Sequence, residues 1–194
     1  MKGSGHLLLH TLPTVITHNF HPERGAFRNI CDLPREDAER IIASIRLAGH
    51  SYLKENYLPR RLCTEDWLIA ERTRKIGETP LTRPIYFFLG DMADGWDRSR
   101  PASLVLPLAL FDPRTITFTF PDSMASCPQR RPADHVDKPW HGQVFTLAEI
   151  TQVVARHGFP DPTLSRDLRG PDAFIEVQLW DDRPLIKIRQ QTGS

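Results

Sequence analysis

The run Ala173–Trp180 alternates strictly, and this constrains the fold more than any other feature of the chain. Successive side chains of an extended strand project to opposite faces. Ala173, Ile175, Val177 and Leu179 therefore form one apolar face, and Phe174, Glu176, Gln178 and Trp180 form the other. Arg114–Phe120 repeats the pattern, with Ile116, Phe118 and Phe120 opposite Thr115, Thr117 and Thr119. Such alternation belongs to antiparallel strands that lay one face on a core. The continuous apolar run Pro84–Leu89 reads as a central strand. Leu7–Leu9 and Ser103–Phe111 read as two more strands.

Helical periodicity appears three times. Asp32-Leu33-Pro34 opens a helix with Ala38, Ile41, Ile42 and Ile45 on its core stripe and Gly49 as its stop. A second helix runs over Pro59–Ile76, with Leu58, Leu62, Ile69 and Ile76 on one stripe. Glu65 falls on that stripe, which predicts an ion pair with a nearby arginine from Arg60, Arg61, Arg72 and Arg74. The third begins at Thr146, where Thr146 and Glu149 have the spacing of a capping box, and ends at Gly158. Thr14–Asn29 reads as loop. Asp112-Pro113 predicts a hairpin between the strands flanking it, and the turn at 181–184 predicts a second, returning through Leu185–Arg189. This order of elements gives an α+β fold, with a mainly antiparallel sheet and about three helices packed on it.

A chain of 194 residues with 40% hydrophobic and 25% charged residues is the size and composition of one globular domain. Met1–His6 and Gly193–Ser194 read as cloning remnants, leaving residues 7–190 as that domain. Seventeen prolines predict rigid loops and short elements. A net charge of +1 gives no electrostatic case for nucleic acid or an anionic membrane. The apolar runs are too short to span a bilayer. Cys31, Cys63 and Cys127 are sparse and odd in number, which is not a disulfide framework. The expectation is a cytoplasmic bacterial protein.

Several residue groups could carry chemistry. The mixed face Phe174–Glu176–Gln178–Trp180 suits the wall of a cleft, with Glu176 orienting a hydroxyl or stabilising a cation. It suits as well a surface strand covered by a loop. Asp122 and Ser123 follow a strand and could donate to a ligand or simply make a turn. Ser123 is not in a GxSxG elbow. His18 and His21 could hold a metal with Asp32 or Asp122, or be hydrogen-bonded loop histidines. Asp91, Asp94 and Asp97 could meet a hard cation, but their spacing is that of a polar turn rather than an EF-hand. Arg24 and Arg28 around Gly25 could grip a phosphate or pin a loop by ion pairs.

The segments RPIYFFLGDMADG, TFTFPDSMAS and FIEVQLWDDRP resemble signature runs of a bacterial domain family of unknown function. In element order the chain resembles the ADP-ribosyltransferase fold. His10 on the first strand, Tyr86 on a middle strand and Glu176 on a late strand stand in the order of that fold's functional residues. The resemblance implies NAD as the ligand. His10 would hold a ribose, Tyr86 would pack on nicotinamide, and Glu176 would support the developing ribosyl cation. Arg28 would then meet a phosphate. Two other readings stand beside this one. The first is a small-molecule or peptide binding module around Gln178 and Trp180, and the second is a metal-dependent hydrolase using His18 and His21.

Overall fold

The computed structural model describes residues 8–49, 53–93, 97–130, 138–161 and 172–192. Its centre is a five-stranded antiparallel sheet built from β2 (Val15–Phe20), β3 (Ile85–Leu89), β4 (Ala102–Pro107), β5 (Ile116–Thr119) and β7 (Glu176–Leu179). The spatial order is β4-β2-β3-β7-β5. A separate two-stranded pair joins β1 (Leu8–Leu9) to β6 (Phe159–Pro160). The helices are α1 (Arg35–Leu47), α2 (Tyr57–Ile76), the short α3 (Ser123–Ser126), α4 (Leu147–His157) and α5 (Ile186–Thr192). The fold is α+β. No helix among the described residues is long and apolar enough to cross a membrane.

Alternation decides which layer covers which face. Ile16, Ile85, Phe87, Leu89, Ile116, Phe118, Val177 and Leu179 share the apolar side of the sheet, where Ile150 and Val154 of α4 and Leu185 pack on them. The Thr146 capping box forms as its spacing predicts, and Gly158 ends α4 with φ 67°. The opposite side carries the polar residues of β3, β5 and β7, and α2 lies over it. Leu68 of α2 packs there against Trp180 and Val144. Ala38 and Ile42 of α1 pack on Leu58 at the start of α2.

Four local expectations are corrected. Residues 15–20, expected as loop, form the strand between β4 and β3. Their polar side chains are accommodated because each finds a partner. Thr17 Oγ1 donates to Gly90 O at 2.7 Å and accepts from Met92 N at 2.9 Å, and Ser103 Oγ donates to Asn19 Oδ1 at 2.7 Å. The hairpin expected across Asp112-Pro113 does not form, since β4 and β5 occupy opposite edges of the sheet. Short 3-10 turns at Leu108–Leu110 and Pro113–Thr115 carry the chain between them. The returning strand expected at Leu185–Arg189 is instead the end of a 3-10 turn running into α5, with Leu185 buried. The cap expected from Asp32 is also absent, because α1 starts after Pro34 and Asp32 lies in a 3-10 turn capped by Asn29.

Candidate active site on the polar face of the sheet

The polar face is internal. Thr117, Thr119, Gln178 and Trp180 are fully buried, and Glu176 is 7% exposed. A buried polar atom without a partner is costly, so these groups bond one another. Gln178 Oε1 accepts from Thr117 Oγ1 at 3.0 Å, and its Nε2 donates to Thr119 Oγ1 at 3.0 Å and to Glu176 Oε1 at 3.1 Å. Trp180 Nε1 donates to Thr117 Oγ1 at 2.8 Å. The ladder follows from register, since Gln178 faces both Tyr86 and Thr117 across the strands, and Glu176 faces Phe88 and Thr119.

Helix α2 completes the network with charge. Glu65, fully buried, accepts from Asn29 Nδ2 at 2.8 Å, Arg83 Nη1 at 2.7 Å and Tyr86 OH at 2.9 Å, and Arg61 Nε lies 3.6 Å away. The ion pair expected for Glu65 thus forms, with Arg61 as one partner. Its shorter partner, Arg83, comes from the segment before β3 and was not anticipated. Arg61 lies over the Tyr86 ring and donates from Nη1 to Ser123 Oγ at 3.2 Å. Burial opposes the charge on Arg61, but Tyr86, Tyr57, Glu176 and Glu65 outweigh it and raise its pKa. Burial likewise lifts the Tyr86 phenol well above its ordinary 10, with Arg61 opposing.

Glu176 is a second buried carboxylate on this face, beside Glu65. Its Oε1 accepts from Gln178 and, at 3.3 Å, from the Ser123 amide, while no hydrogen bond among the described residues reaches Oε2. Burial, reinforced by Asp122, pushes its pKa above the usual carboxylate range, against the pull of Arg61, Ser123 and Gln178. A carboxyl in this position can accept from a ligand hydroxyl or face a developing cation when ionised. Beside it, the half-buried rings of Phe88 and Phe174 meet edge to face at 4.8 Å.

The structure brings Tyr86, Ser123, Glu176, Gln178 and Trp180 to one face. Trp180 and Gln178 are packed inside the network, so the expectation that they line an open wall is corrected: α2, not solvent, lies against them. Asp122 caps α3 through Ala125 N at 2.9 Å, next to Ser123. His10 is exposed and meets Ala155 O of α4 at 3.3 Å, on the opposite side of the sheet from Glu176. Arg28 is exposed, between buried Phe27 and Asn29.

His18 is a structural residue rather than a metal ligand. Phe27 N donates to its Nε2 at 2.8 Å, so the proton sits on Nδ1 and is donated to Tyr86 O, also at 2.8 Å. Both ring nitrogens are therefore engaged, which removes His18 from the expected metal set. Among the described residues no group of three or more His, Cys, Asp and Glu is placed to hold a metal ion. Asp97 of the acidic loop instead binds Ser99 and Arg100, and Asp94 lies outside the described residues. A groove of about 300 Å³ lies elsewhere, between α1 and the start of α2, and its charged lining residues Arg35, Glu39, Arg46 and Glu55 are all exposed.

Comparison with family models, with curated proteins and with solved structures finds no match to this chain.

Proposed function

We propose that the chain binds a nicotinamide dinucleotide at the Glu176 edge of the polar face and cleaves or transfers its ribosyl group. The observation that carries this reading is that Glu176 Oε2 accepts no hydrogen bond among the described residues, whereas the other carboxylate of the network, Glu65, is saturated with donors. Tyr86 shares the face of Glu176 on the neighbouring strand, two residues from Phe88, the residue directly opposite Glu176. In the reaction the glycosidic C–N bond breaks and nicotinamide leaves with the bonding electron pair. Water or an acceptor hydroxyl adds to the ribosyl carbon and releases its proton to solvent. Ionised Glu176 stabilises the cationic centre between the two steps, and Ser123 N and Gln178 fix the carboxylate through Oε1.

The position of His10, across the sheet, favours a second reading in which the same edge binds the ligand without bond cleavage. The test is thermal unfolding with and without NAD, run on wild type and Glu176→Gln, alongside release of nicotinamide. A ligand that binds only the folded state stabilises it by about 2.7 kcal/mol at a hundredfold excess over its Kd. The transferase or glycohydrolase reading requires nicotinamide release that the substitution abolishes. A midpoint shift without release leaves the binding reading, and no shift with any NAD concentration removes both.

A further inference from the structure

Arg100 was not among the residues that the sequence singled out for anion binding. Its backbone N bonds Asp97 O at 2.8 Å, and its Nε and Nη2 both reach Asp97 Oδ2 at 2.8 Å. Asp97 is itself fixed, accepting from Ser99 N at 2.9 Å and Ser99 Oγ at 2.6 Å. The guanidinium is thus held in one place while its side chain stays 44% exposed, and Nη1 has no hydrogen bond among the described residues. That fixed cation lies 5.9 Å from the centre of the Phe88 ring. Phe88 is the cross-strand partner of Glu176, and its ring meets Phe174, the side chain two residues before Glu176 on the same face.

Three kinds of group therefore follow one another along this edge: a carboxylate with one oxygen that accepts no hydrogen bond among the described residues, an apolar aromatic pair, and a pinned guanidinium. Each selects a part of a ligand. The aromatic pair takes a flat ring, the carboxylate takes a hydroxyl, and arginine takes an anion through its planar donors. The exposed Arg28, by contrast, makes no hydrogen bond or ion pair with any of these groups among the described residues.

We infer that the ligand of this edge is a nucleoside phosphate, with its ring on Phe88 and Phe174, its sugar hydroxyl at Glu176 and its phosphate on Arg100. The inference rests on the reading of Glu176 as the centre of the site, and it replaces Arg28 with Arg100 as the phosphate contact. It also widens the ligand class, because any phosphorylated nucleoside satisfies the three groups.

Isothermal titration of wild type, Arg100→Gln and Phe174→Leu with adenosine, AMP, nicotinamide riboside and NAD tests it, with nicotinamide release measured in parallel. Loss of a charge-assisted contact weakens AMP and NAD by about tenfold in Arg100→Gln, while the two phosphate-free nucleosides bind it as they bind wild type. Phe174→Leu weakens all four. Phosphate ligands that bind Arg100→Gln as tightly as wild type overturn the inference, even if Glu176-dependent release of nicotinamide is present. Arg100-dependent binding of AMP without any release of nicotinamide supports the inference and removes ribosyl transfer. Failure of all four ligands to bind wild type overturns both.

Discussion

The guanidinium carbon of Arg61 lies 3.7 Å from the centre of the Tyr86 ring. The stack places a buried cation on one aromatic face while the hydroxyl of the same tyrosine is committed to Glu65. Ring and hydroxyl can be separated by substitution. Tyr86→Phe keeps the stack and removes one donor from Glu65, for a loss of about 1–2 kcal/mol. Tyr86→Leu also removes the cation–π contact, which adds roughly another 1–2 kcal/mol at a desolvated site. Urea unfolding of the two variants checks the order, and equal losses would mean that the ring contact contributes nothing.

Glu65 neutralises Arg61 and Arg83 from inside the protein. Glu65→Leu leaves two guanidinium groups and the Asn29 amide without their acceptor. Breaking a buried pair in this way costs about 3–5 kcal/mol, more than an ordinary core truncation of the same size. Equilibrium denaturation measures it directly. A loss below about 1 kcal/mol would show that water enters and replaces the carboxylate.

Acid should weaken the fold through His18. Burial, opposed by the bond to Tyr86 O and assisted by Arg100, holds its pKa down at about 4, against an ordinary 6.5. Protonation would turn Nε2 into a donor facing the Phe27 N–H. The unfolded chain therefore takes up a proton that the folded chain refuses. The contribution of neutral His18 is complete above pH 6.5, shrinks as pH falls, and is fully lost below about 4. The difference amounts to roughly 3 kcal/mol. Unfolding free energies measured from pH 7 to 4 for wild type and His18→Gln check it, and parallel curves would contradict it.

Gly158 closes α4 at φ 67°, and a Cβ there would lie 2.9 Å from Leu8 Cβ and 3.2 Å from Leu9 O. Gly158→Ala meets both backbone strain and the β1 backbone. The expected cost is about 1–3 kcal/mol, and β1 should loosen from β6. Hydrogen exchange at Leu9 distinguishes this from general destabilisation, because local release raises its rate by more than the fall in global stability accounts for.

What the sequence made legible was local. The two faces of β7 and β5 follow from alternation, and the cap of α4 from the Thr146 and Glu149 spacing. The charged position Glu65 was visible as a break in an apolar stripe. Strand β2 was not visible, because Thr17, His18 and Asn19 lack an apolar pattern, and their partners Gly90, Tyr86 and Ser103 are distant in the chain. Leu185–Arg189 has the alternation of a strand, but the 3-10 turn at Arg183–Leu185 passes directly into a helix. The site divides the same way. Glu176 stood out by its aromatic neighbours on one strand, whereas Arg83, Asn29 and Arg100 acquire their roles only when separate segments meet.

The placing of β7 between β3 and β5 has a consequence for synthesis on the ribosome. Until Glu176–Leu179 has emerged, β3 lacks one neighbour and β5 has no neighbour in the sheet. Both edges stay open while residues 120–175 are being made. Pairings between remote segments form slowly, and open strand edges invite association with other chains. A folding factor that shields such edges would act in the interval before β7 slots between β3 and β5.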